Sequence, residues 1–355
     1  MRFTALLLAA AFFVPASRAS AAAQLQSPFS AMVTRDMQHG APASGPCAPA
    51  PPVQRDVEGV SYYVDAHKSV TDPALFKKNV AQLQPGRVFL AGVTRMSDAA
   101  VQGSAADGDC AFAWLHAWAL AGGFAGTVNH QGEYEREWDL CGLGLAYLKL
   151  RDTGRFTDTP GRGDIEAWLA RLARIVQPIS AKEKEFNNHA YWTGLGVAAA
   201  GIAANDRSLF DWGIGKFDLG ADAVTADGTL PLEMRRGQRA IHYHFFALTP
   251  LVYLAELGEA NGLDLYARNG GAIKRLVERS VAGSRDPRWF ALRAGATQDI
   301  VAGGKLAIDE VAWMEAYGAR FGTAGFDDIL AKYRPIDYPR LGGNLTALYA
   351  GAQTR

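Results

Sequence analysis

The 355-residue sequence is long and apolar enough to form a full hydrophobic core, and its charge balance argues against a nucleic-acid partner. Hydrophobic residues make up 49% of the chain, and 36 basic residues are matched by 36 acidic ones. Proteins that bind nucleic acid usually carry a strong basic excess. An anionic polymer of another kind would need its basic contacts concentrated in one cleft.

The first 23 residues have the pattern of an export signal. Arg2 supplies a positive n-region, residues 3–14 form an apolar h-region, and small residues at 20–23 offer a cleavage zone. The apolar run is shorter than the ~20 residues that span a bilayer, and no later segment reaches that length. We therefore expect a protein that is exported to the periplasm and has no membrane-spanning helix.

Residues 24–60 are rich in Pro, Ser, Gly and Ala and predict an irregular N-terminal arm. The chain has three cysteines. Cys47 lies in the arm, Cys110 lies just before the helical run AFAWLHAWALAGG, and Cys141 lies in an apolar helical stretch, where a buried free thiol is the ordinary interpretation. Because export permits disulfides, we expect a Cys47–Cys110 bond. No pair of cysteines has the spacing of zinc ligands.

Residues 61–355 have mainly helical periodicity, and strand-like alternation is nearly absent. In residues 163–176 the apolar positions follow one helical face, and Pro178 is expected to end that helix. The 38 glycines fall largely between helical runs, as turns between helices require. The pattern predicts one all-α domain of helical hairpins, which either stack in pairs or close into a toroid.

The hexapeptide NNHAYW at residues 187–192 is the first candidate for a functional motif. Asn188 and His189 place an amide and an imidazole N–H side by side, and such a pair can hold a carboxylate. Asparagine is also a good helix N-cap, so the motif alone is explained at least as well by a helix start. Trp192 is a candidate for contact with sugar rings, although tryptophans at helical spacing usually belong to the core.

The second candidate motif is LPLEMRRGQRAIHYHFFAL at residues 230–248. Arg236, Arg239 and Tyr243 share one face if the segment is helical. A nearby guanidinium favours the phenolate and lowers the pKa of a tyrosine. An ordinary amphipathic helix with exposed arginines has the same spacing. Here the arginines come directly before a long apolar run, so they lie at a helix end.

The sequence supports two other chemistries, metal catalysis and hydrolysis, less well. His242 and His244 form an H-x-H pair that points to different helical faces, and no acidic residue or cysteine supports them or His189 at ligand spacing. We therefore expect neither a metal nor any other cofactor. Hydrolysis by two carboxylates has only scattered candidate acids, of which the glutamate at 233 is better explained as support for the arginines: Glu183, Glu185, Glu233, Asp309 and Glu310.

Together the two motifs provide the groups that β-elimination beside a uronate requires. Removal of the weakly acidic C5 proton needs donors that neutralise the neighbouring carboxylate. It also needs a base near C5 and an acid near the bridging oxygen. Asn188 and His189 suit the first task, and Tyr243 suits the other two.

The same two motifs resemble those of the alginate lyases of polysaccharide lyase family five, and scattered similarities extend over most of the mature chain. The resemblance implies an incomplete α/α toroid over residues 61–355 and selects it over stacked hairpins. It implies that Asn188, His189, Arg236 and Tyr243 are the catalytic residues, and it also favours the Cys47–Cys110 disulfide.

The resemblance further implies substrate contacts from the REW segment, at Arg136–Trp138, and from the RLGG segment, at Arg340. Family members carry a cleft lysine in an N-terminal loop. Here Ala66 stands at that position, with His67 and Lys68 just beyond it. The full set of expected substrate-binding residues is Tyr63, Lys68, Arg136, Trp138, Trp192, Arg239, His242 and Arg340.

The expected substrate is an anionic polysaccharide, with poly-β-D-mannuronate first. Mannuronate and glucuronate differ only at C2, so one tyrosine could serve both by syn elimination, whereas guluronate is inverted at C5. Poly-glucuronate and hyaluronan are therefore the alternatives. A non-catalytic periplasmic protein that binds polyuronates is the alternative outside the enzymes. We expect a monomer.

Overall fold

Helices dominate the computed structural model, which describes residues 24–36, 45–66, 68–182 and 186–350. The predicted export signal, His67, Glu183 and Glu185 lie outside the described residues. The helices are α1 (Ser30–Asp36), α2 (Pro73–Gln82), α3 (Gln84–Val101), α4 (Ala105–Ala121), α5 (His130–Asp152), α6 (Arg162–Lys182), α7 (Asn188–Ala203), α8 (Arg207–Ala223), α9 (Pro231–Met234), α10 (Ala240–Glu259), α11 (Arg268–Arg285), α12 (Arg288–Ala294), α13 (Ile308–Val311), α14 (Met314–Phe321), α15 (Asp327–Tyr333) and α16 (Leu345–Tyr349).

Within the described ranges, the strands are limited to the two-residue pair β1 (Asp337–Tyr338) and β2 (Gly343–Asn344), which is antiparallel with Tyr338 opposite Gly343. Short 3₁₀ turns cover Gly237–Arg239 and Pro339–Leu341. The expectation of an all-α chain is therefore confirmed. In the part of the chain that the structure covers, no helix combines the length and apolar character needed to cross a membrane.

Short polar side chains start several of the helices by accepting hydrogen bonds from the first turn, whose N–H groups have no partner within the helix. They stand at the N-caps of α2, α4, α5, α7 and α8: Asp72, Ser104, Asn129, Asn187 and Asp206. Pro178 does not end α6 as predicted. The helix continues to Lys182, because a proline loses one N–H donor but keeps a helical φ.

The core is built around α5, α7 and α10, whose residues are nearly all buried. Helix α7 packs against α5, α6, α8 and α10. Close approach depends on small residues, since a Cβ on Gly144 would lie 2.9 Å from the Cβ of Ala199, and one on Gly213 would lie 2.5 Å from the carbonyl oxygen of Gly194. These two contacts hold α7 close against α5 and α8.

The N-terminal arm is less irregular than predicted. It contains α1, and the side chains of Leu25, Phe29 and Val33 are buried in the core because they form an apolar stripe at helical spacing. The later part of the arm is bonded to α4 through the expected Cys47–Cys110 disulfide. Cys141 is the buried free thiol that the sequence indicated.

The segment after α15 returns to α5 and is fixed there by buried polar contacts. Asp98 pairs with the buried Lys149 and accepts a hydrogen bond from the backbone N–H of Asn344 at 2.8 Å. A Cβ on Gly343, which has φ +117°, would lie 2.2 Å from the Asp98 carboxylate, so only glycine fits here. These contacts determine where Arg340 lies.

Candidate active site

One cleft of about 870 Å³ brings most of the predicted site residues together. Its walls come from the loop after the arm, from α5, from the start of α7, from the segment before and within α10, and from the C-terminal segment. The predicted residues that line it are Tyr63, Lys68, Trp138, His189, Arg236, Arg239, His242, Tyr243 and Arg340.

His189 lies in the first turn of α7 as a neutral imidazole. Burial, with smaller contributions from the charges of Arg236 and His130, lowers its pKa to about 3. Its ring stacks on Tyr134, with 3.9 Å between the ring centroids. Its buried Nδ1 has no hydrogen-bond partner among the described residues. The imidazole can therefore offer a hydrogen bond to a ligand without carrying a charge.

Tyr243 lies in the first turn of α10 and faces the loop that contains Tyr63. Its hydroxyl is 3.1 Å from the Tyr63 hydroxyl and 3.1 Å from the carbonyl oxygen of Lys68. The guanidiniums of Arg236 and Arg239 lie 4.6 and 5.4 Å from the centre of its ring. The phenol is thus fixed at the cleft wall between two cations.

The pKa of Tyr243 does not fall, as the two arginines alone would predict. Burial raises it well above its ordinary value and Tyr63 adds to the rise, while Arg239 and Arg236 oppose it. The cost of desolvating a phenolate is greater than the attraction of the guanidiniums. The resting phenol is therefore protonated, which corrects the expectation from sequence.

Arg340 forms the opposite part of the cleft together with Trp138. Its guanidinium lies 4.2 Å from the centre of the Trp138 ring, and its Nη2 donates to Oε2 of Glu135 at 2.6 Å. Glu135 also accepts hydrogen bonds from Asn79 and Arg87. The arginine is therefore held in one orientation before any ligand binds.

The comparisons with known proteins agree with this geometry. The family model described as alginate lyase matches residues 56–290. A polysaccharide lyase of Stenotrophomonas maltophilia (strain K279a) is 40% identical over 87% of this chain and 92% of its own length. An alginate lyase of Pseudomonas putida (strain W619) is 38% identical over 73% of this chain and 72% of its own. The chain belongs to the alginate lyase family.

Solved structures extend the likeness to the fold. Alginate lyase A1-III of Sphingomonas species A1 superimposes with a TM-score of 0.76 and 26% identity, covering 92% of this chain and 97% of that one. A variant of A1-III complexed with a tetrasaccharide gives a TM-score of 0.78 at 25% identity, with the same coverage. The predicted α/α toroid is confirmed, and the comparisons support alginate lyase activity.

Asn188 of the alginate lyase motif does not line the cleft. It is fully buried, and its Nδ2 donates to Oε1 of Glu233 at 2.9 Å. The helix cap is Asn187, whose Oδ1 accepts from the backbone N–H of His189. In this structure Asn188 is therefore a buried neighbour of the site rather than a donor exposed in it.

Two of the expected substrate contacts lie elsewhere. Trp192 is fully buried and packs beneath Phe246, with 5.2 Å between the ring centroids, so it belongs to the core. Arg136 is buried and donates to the carbonyl oxygen of Gly126 at 2.6 Å. Neither side chain lines the cleft. Arg136 lies on a different face of α5 from Trp138, and Trp192 lies one turn further into α7 than His189, where the core covers it.

Both histidines near Tyr243 have hydrogen-bond partners within the protein. Nδ1 of His242 lies 2.5 Å from Glu310, whereas His244 is fully buried, with one ring nitrogen near the carbonyl oxygen of Ala240 and the other accepting from the backbone N–H of Leu230. Among the described residues no three potential ligands lie close enough to share a metal ion.

The loop with the expected lysine brings both Ala66 and Lys68 to the cleft. Asp65 accepts hydrogen bonds from the backbone N–H groups of Ser69 and Val70, and the turn so formed gives Lys68 a φ of +55°. Lys68 is thus a cleft residue two positions after Ala66, where the resemblance led us to expect the lysine.

The cleft-wall residues that sequence analysis missed include a group on α5: Tyr134, Glu135 and Asp139. They lie near Trp138 on one face of α5, and their helical spacing around the REW segment was the available signal. Burial raises the pKa of Asp139 to about 7. Two of the candidate acids for hydrolysis, Glu233 and Glu310, are hydrogen-bonded to Asn188 and His242.

Proposed function

We propose that this protein cleaves the 1→4 linkages of poly-β-D-mannuronate by β-elimination and leaves 4,5-unsaturated uronate ends. The observation that carries the proposal is the meeting of His189, Arg236 and Tyr243 on one cleft. These residues come from two separate segments of the sequence, and each provides a group that the reaction needs.

The charge of the cleft supports an anionic ligand. Arg236, Arg239, Arg340 and Lys68 line it. Guanidiniums bind carboxylates well because their N–H groups match the two carboxylate oxygens. A polyuronate presents one carboxylate on each sugar, so several of these cations could each contact a different sugar along the chain.

In the proposed reaction, His189 and Arg236 contact the carboxylate of the sugar whose C5 proton is removed. Donors at this position stabilise the negative charge that develops on the carboxylate when the proton leaves. His189 contributes as a neutral N–H donor, because its pKa is about 3. Asn188 supports this pair through Glu233, a residue of the second motif that contacts both Asn188 and Arg236.

Tyr243 is proposed as both base and acid. It acts from its phenolate form, which it reaches by releasing its proton to water and which Arg236 and Arg239 stabilise against the cost of burial. The phenolate then takes the C5 proton while the C4–O4 bond breaks, and it returns that proton to the leaving oxygen. The proton is thus transferred from carbon to oxygen, and the phenolate is regenerated.

The stereochemistry separates mannuronate and glucuronate from guluronate. A single tyrosine that acts on one face can remove the C5 proton and protonate O4 of mannuronate or glucuronate, whereas the C5 proton of guluronate is on the other face. Mannuronate and glucuronate polymers are distinguished by the assay described below, in which the cleft carries Ala66 and Lys68. The export pattern of the N-terminus supports a periplasmic location for this activity.

The test is an assay of the mature protein on poly-mannuronate, poly-guluronate, poly-glucuronate and hyaluronan, followed by ultraviolet absorbance of the unsaturated ends. We expect the fastest absorbance rise with poly-mannuronate and little with poly-guluronate. A faster rise with poly-glucuronate or hyaluronan would contradict the substrate assignment. Binding without any unsaturated product would favour the non-catalytic alternative.

A further inference from the structure

Glu310 is a buried carboxylate that lies behind the wall of the cleft. Its Oε1 accepts a hydrogen bond from Nδ1 of His242 at 2.5 Å, and its Oε2 accepts one from the backbone N–H of Ala307 at 2.5 Å. Glu310 is 4% exposed and does not line the cleft, whereas His242 does. The proposed reaction assigns no task to this carboxylate, and it reaches the cleft only through the imidazole.

The contact with Glu310 determines which ring nitrogen of His242 carries the proton. A carboxylate is only an acceptor, and the other oxygen of Glu310 is already bonded to a backbone N–H. Nδ1 therefore carries the proton, and in the neutral ring Nε2 keeps a free lone pair. The ring lies nearly parallel to Phe246, at 9° and 6.0 Å between centroids, so its plane is fixed as well.

Nε2 is the atom of His242 that can reach a ligand. No described residue bonds to it, and it is not among the fully enclosed polar atoms that lack a partner. The ring stands on the cleft wall, 4.9 Å from the ring of Tyr243 between centroids. One nitrogen is thus fixed by a carboxylate, and the other is held open to the cleft before any ligand binds.

A sugar in this cleft needs acceptors as well as donors. Four cations line the cleft, and their N–H groups can only donate: Lys68, Arg236, Arg239 and Arg340. They suit the carboxylates of a polyuronate. The ring hydroxyls of the same sugars are donors too, and each loses free energy if it leaves water without finding an acceptor. Nε2 of His242 provides such an acceptor beside Tyr243.

We propose that Glu310 is a positioning residue that holds His242 in its Nδ1–H form, so that Nε2 accepts a hydrogen bond from a ring hydroxyl of the bound polymer. This inference rests on the proposed function, since it takes the same polymer as its ligand. It separates the task of His242, which is to bind the sugar, from the proton transfer assigned to Tyr243.

NMR of protein with isotope-labelled histidine nitrogens reads the tautomer directly, and the His242 signals are identified by their loss in His242→Gln. In wild type we expect a protonated Nδ1 and an unprotonated Nε2. In Glu310→Gln, the amide satisfies both neighbours only if its oxygen accepts from Ala307 and its nitrogen donates to Nδ1. The ring proton then moves to Nε2, and the acceptor becomes a donor.

Equilibrium binding of a mannuronate tetrasaccharide measures the consequence, in a Tyr243→Phe background so that the ligand stays intact. We expect Glu310→Gln to weaken binding about tenfold, the scale of one hydrogen bond. With Tyr243 present, KM for the tetrasaccharide should rise by a similar factor while kcat stays nearly unchanged.

Glu315→Gln is the matched control. Glu315 is also a buried glutamate with two side-chain partners, Arg334 and Thr346, but it does not line the cleft. Its replacement should lower stability and leave the tetrasaccharide affinity and the His242 signals as they are in wild type. An equal loss of affinity in both glutamine variants would overturn the inference.

A wild-type His242 with its proton on Nε2, or with protons on both nitrogens at the assay pH, would also overturn it. So would an Nε2 signal that the tetrasaccharide leaves unshifted, a result that needs only Tyr243→Phe and holds even if Glu310→Gln does not fold. If wild type bound the tetrasaccharide through Nε2 but made no product, the proposed function would fail and the role of Glu310 would stand.

Discussion

Glu233 accepts hydrogen bonds from both the backbone N–H and the Nδ2 of Asn188, at 2.8 and 2.9 Å. Its other carboxylate oxygen lies 3.5 Å from Nε of Arg236. One buried carboxylate therefore joins the start of α7, which carries His189, to the segment that carries Arg236 and Tyr243. The relative position of the two motifs depends on this contact.

Replacement of Glu233 should damage both stability and turnover. Glu233→Ala leaves buried donors on Asn188 and Arg236 without their acceptor, so we expect a loss of about 3 kcal/mol in the free energy of unfolding. Glu233→Gln keeps the shape and one acceptor oxygen and should lose less. Denaturant unfolding and initial rates measure both effects.

Glu278→Ala is the control. Glu278 is exposed, and its ion pair with Lys274 spans a long 3.9 Å. Equal losses in Glu233→Ala and Glu278→Ala would contradict the role of Glu233.

Arg340→Ala should weaken substrate binding more than it slows chemistry. Glu135 and Trp138 fix the Arg340 guanidinium on the cleft wall, although Arg340 and Glu135 are 205 residues apart in the sequence. Loss of one hydrogen bond to a charged group costs about 2 kcal/mol, so kcat/KM should fall about 30-fold, mainly through KM.

The control for this prediction is Arg320→Ala. Arg320 also pairs with a buried glutamate, Glu256, through two hydrogen bonds, but it does not line the cleft, so its loss should affect stability and leave KM unchanged. A normal KM in Arg340→Ala would remove this residue from substrate binding.

Asp139 should make stability depend on pH. Burial raises its folded pKa to about 7 from an ordinary value of 3.8. Between these values the unfolded chain loses a proton that the folded protein keeps. The stability due to the neutral carboxyl is thus complete below about pH 4 and is lost as the pH rises to about 7. Asp139→Asn stays neutral, so its stability relative to wild type should increase across this range, by at most about 4 kcal/mol.

Denaturant unfolding of both proteins at a series of pH values measures this difference. A difference in stability between Asp139→Asn and wild type that is constant from pH 4 to pH 8 would show that Asp139 titrates normally.

Activity should survive exhaustive chelation. The proposed neutralisation of the substrate carboxylate uses His189 and Arg236, and the reaction as written assigns no step to a metal. Initial rates before and after dialysis against EDTA measure the effect. A lost rate that returns on addition of calcium or zinc would contradict this part of the proposal.

The parts of the site that could be predicted from sequence are local ones. His189 and Tyr243 stand in short motifs whose chemistry is visible in the residue types, and helical spacing placed Arg236, Arg239 and Tyr243 on one side of a helix start. The N-terminal arm was predicted less well, because the short stripe of Leu25, Phe29 and Val33 is hidden among turn-forming residues.

Other features depend on contacts between distant segments. Whether Trp192 faces a sugar or Phe246 is determined by how α7 packs against α10, and a motif carries no information about that. The pKa of Tyr243 was predicted from its neighbours in sequence, but burial by the loop around Tyr63 outweighs them. Glu135 orients Arg340 in the cleft. The two residues meet because the C-terminal segment returns to α5, and the sequence does not show that return.

Tyr243→Phe tests the central proposal most directly, because it keeps the ring and removes the hydroxyl. Tyr191→Phe is the matched control, since Tyr191 is buried, does not line the cleft, and donates its hydroxyl to the carbonyl oxygen of Phe186. The measurement is the rate of unsaturated product on poly-mannuronate and poly-glucuronate, together with equilibrium binding of both polymers. We expect Tyr243→Phe to bind both polymers normally and to lose ~10²-fold or more in turnover, whereas Tyr191→Phe stays active. Near-normal rates of Tyr243→Phe on both polymers would contradict it and make His242 the next candidate base.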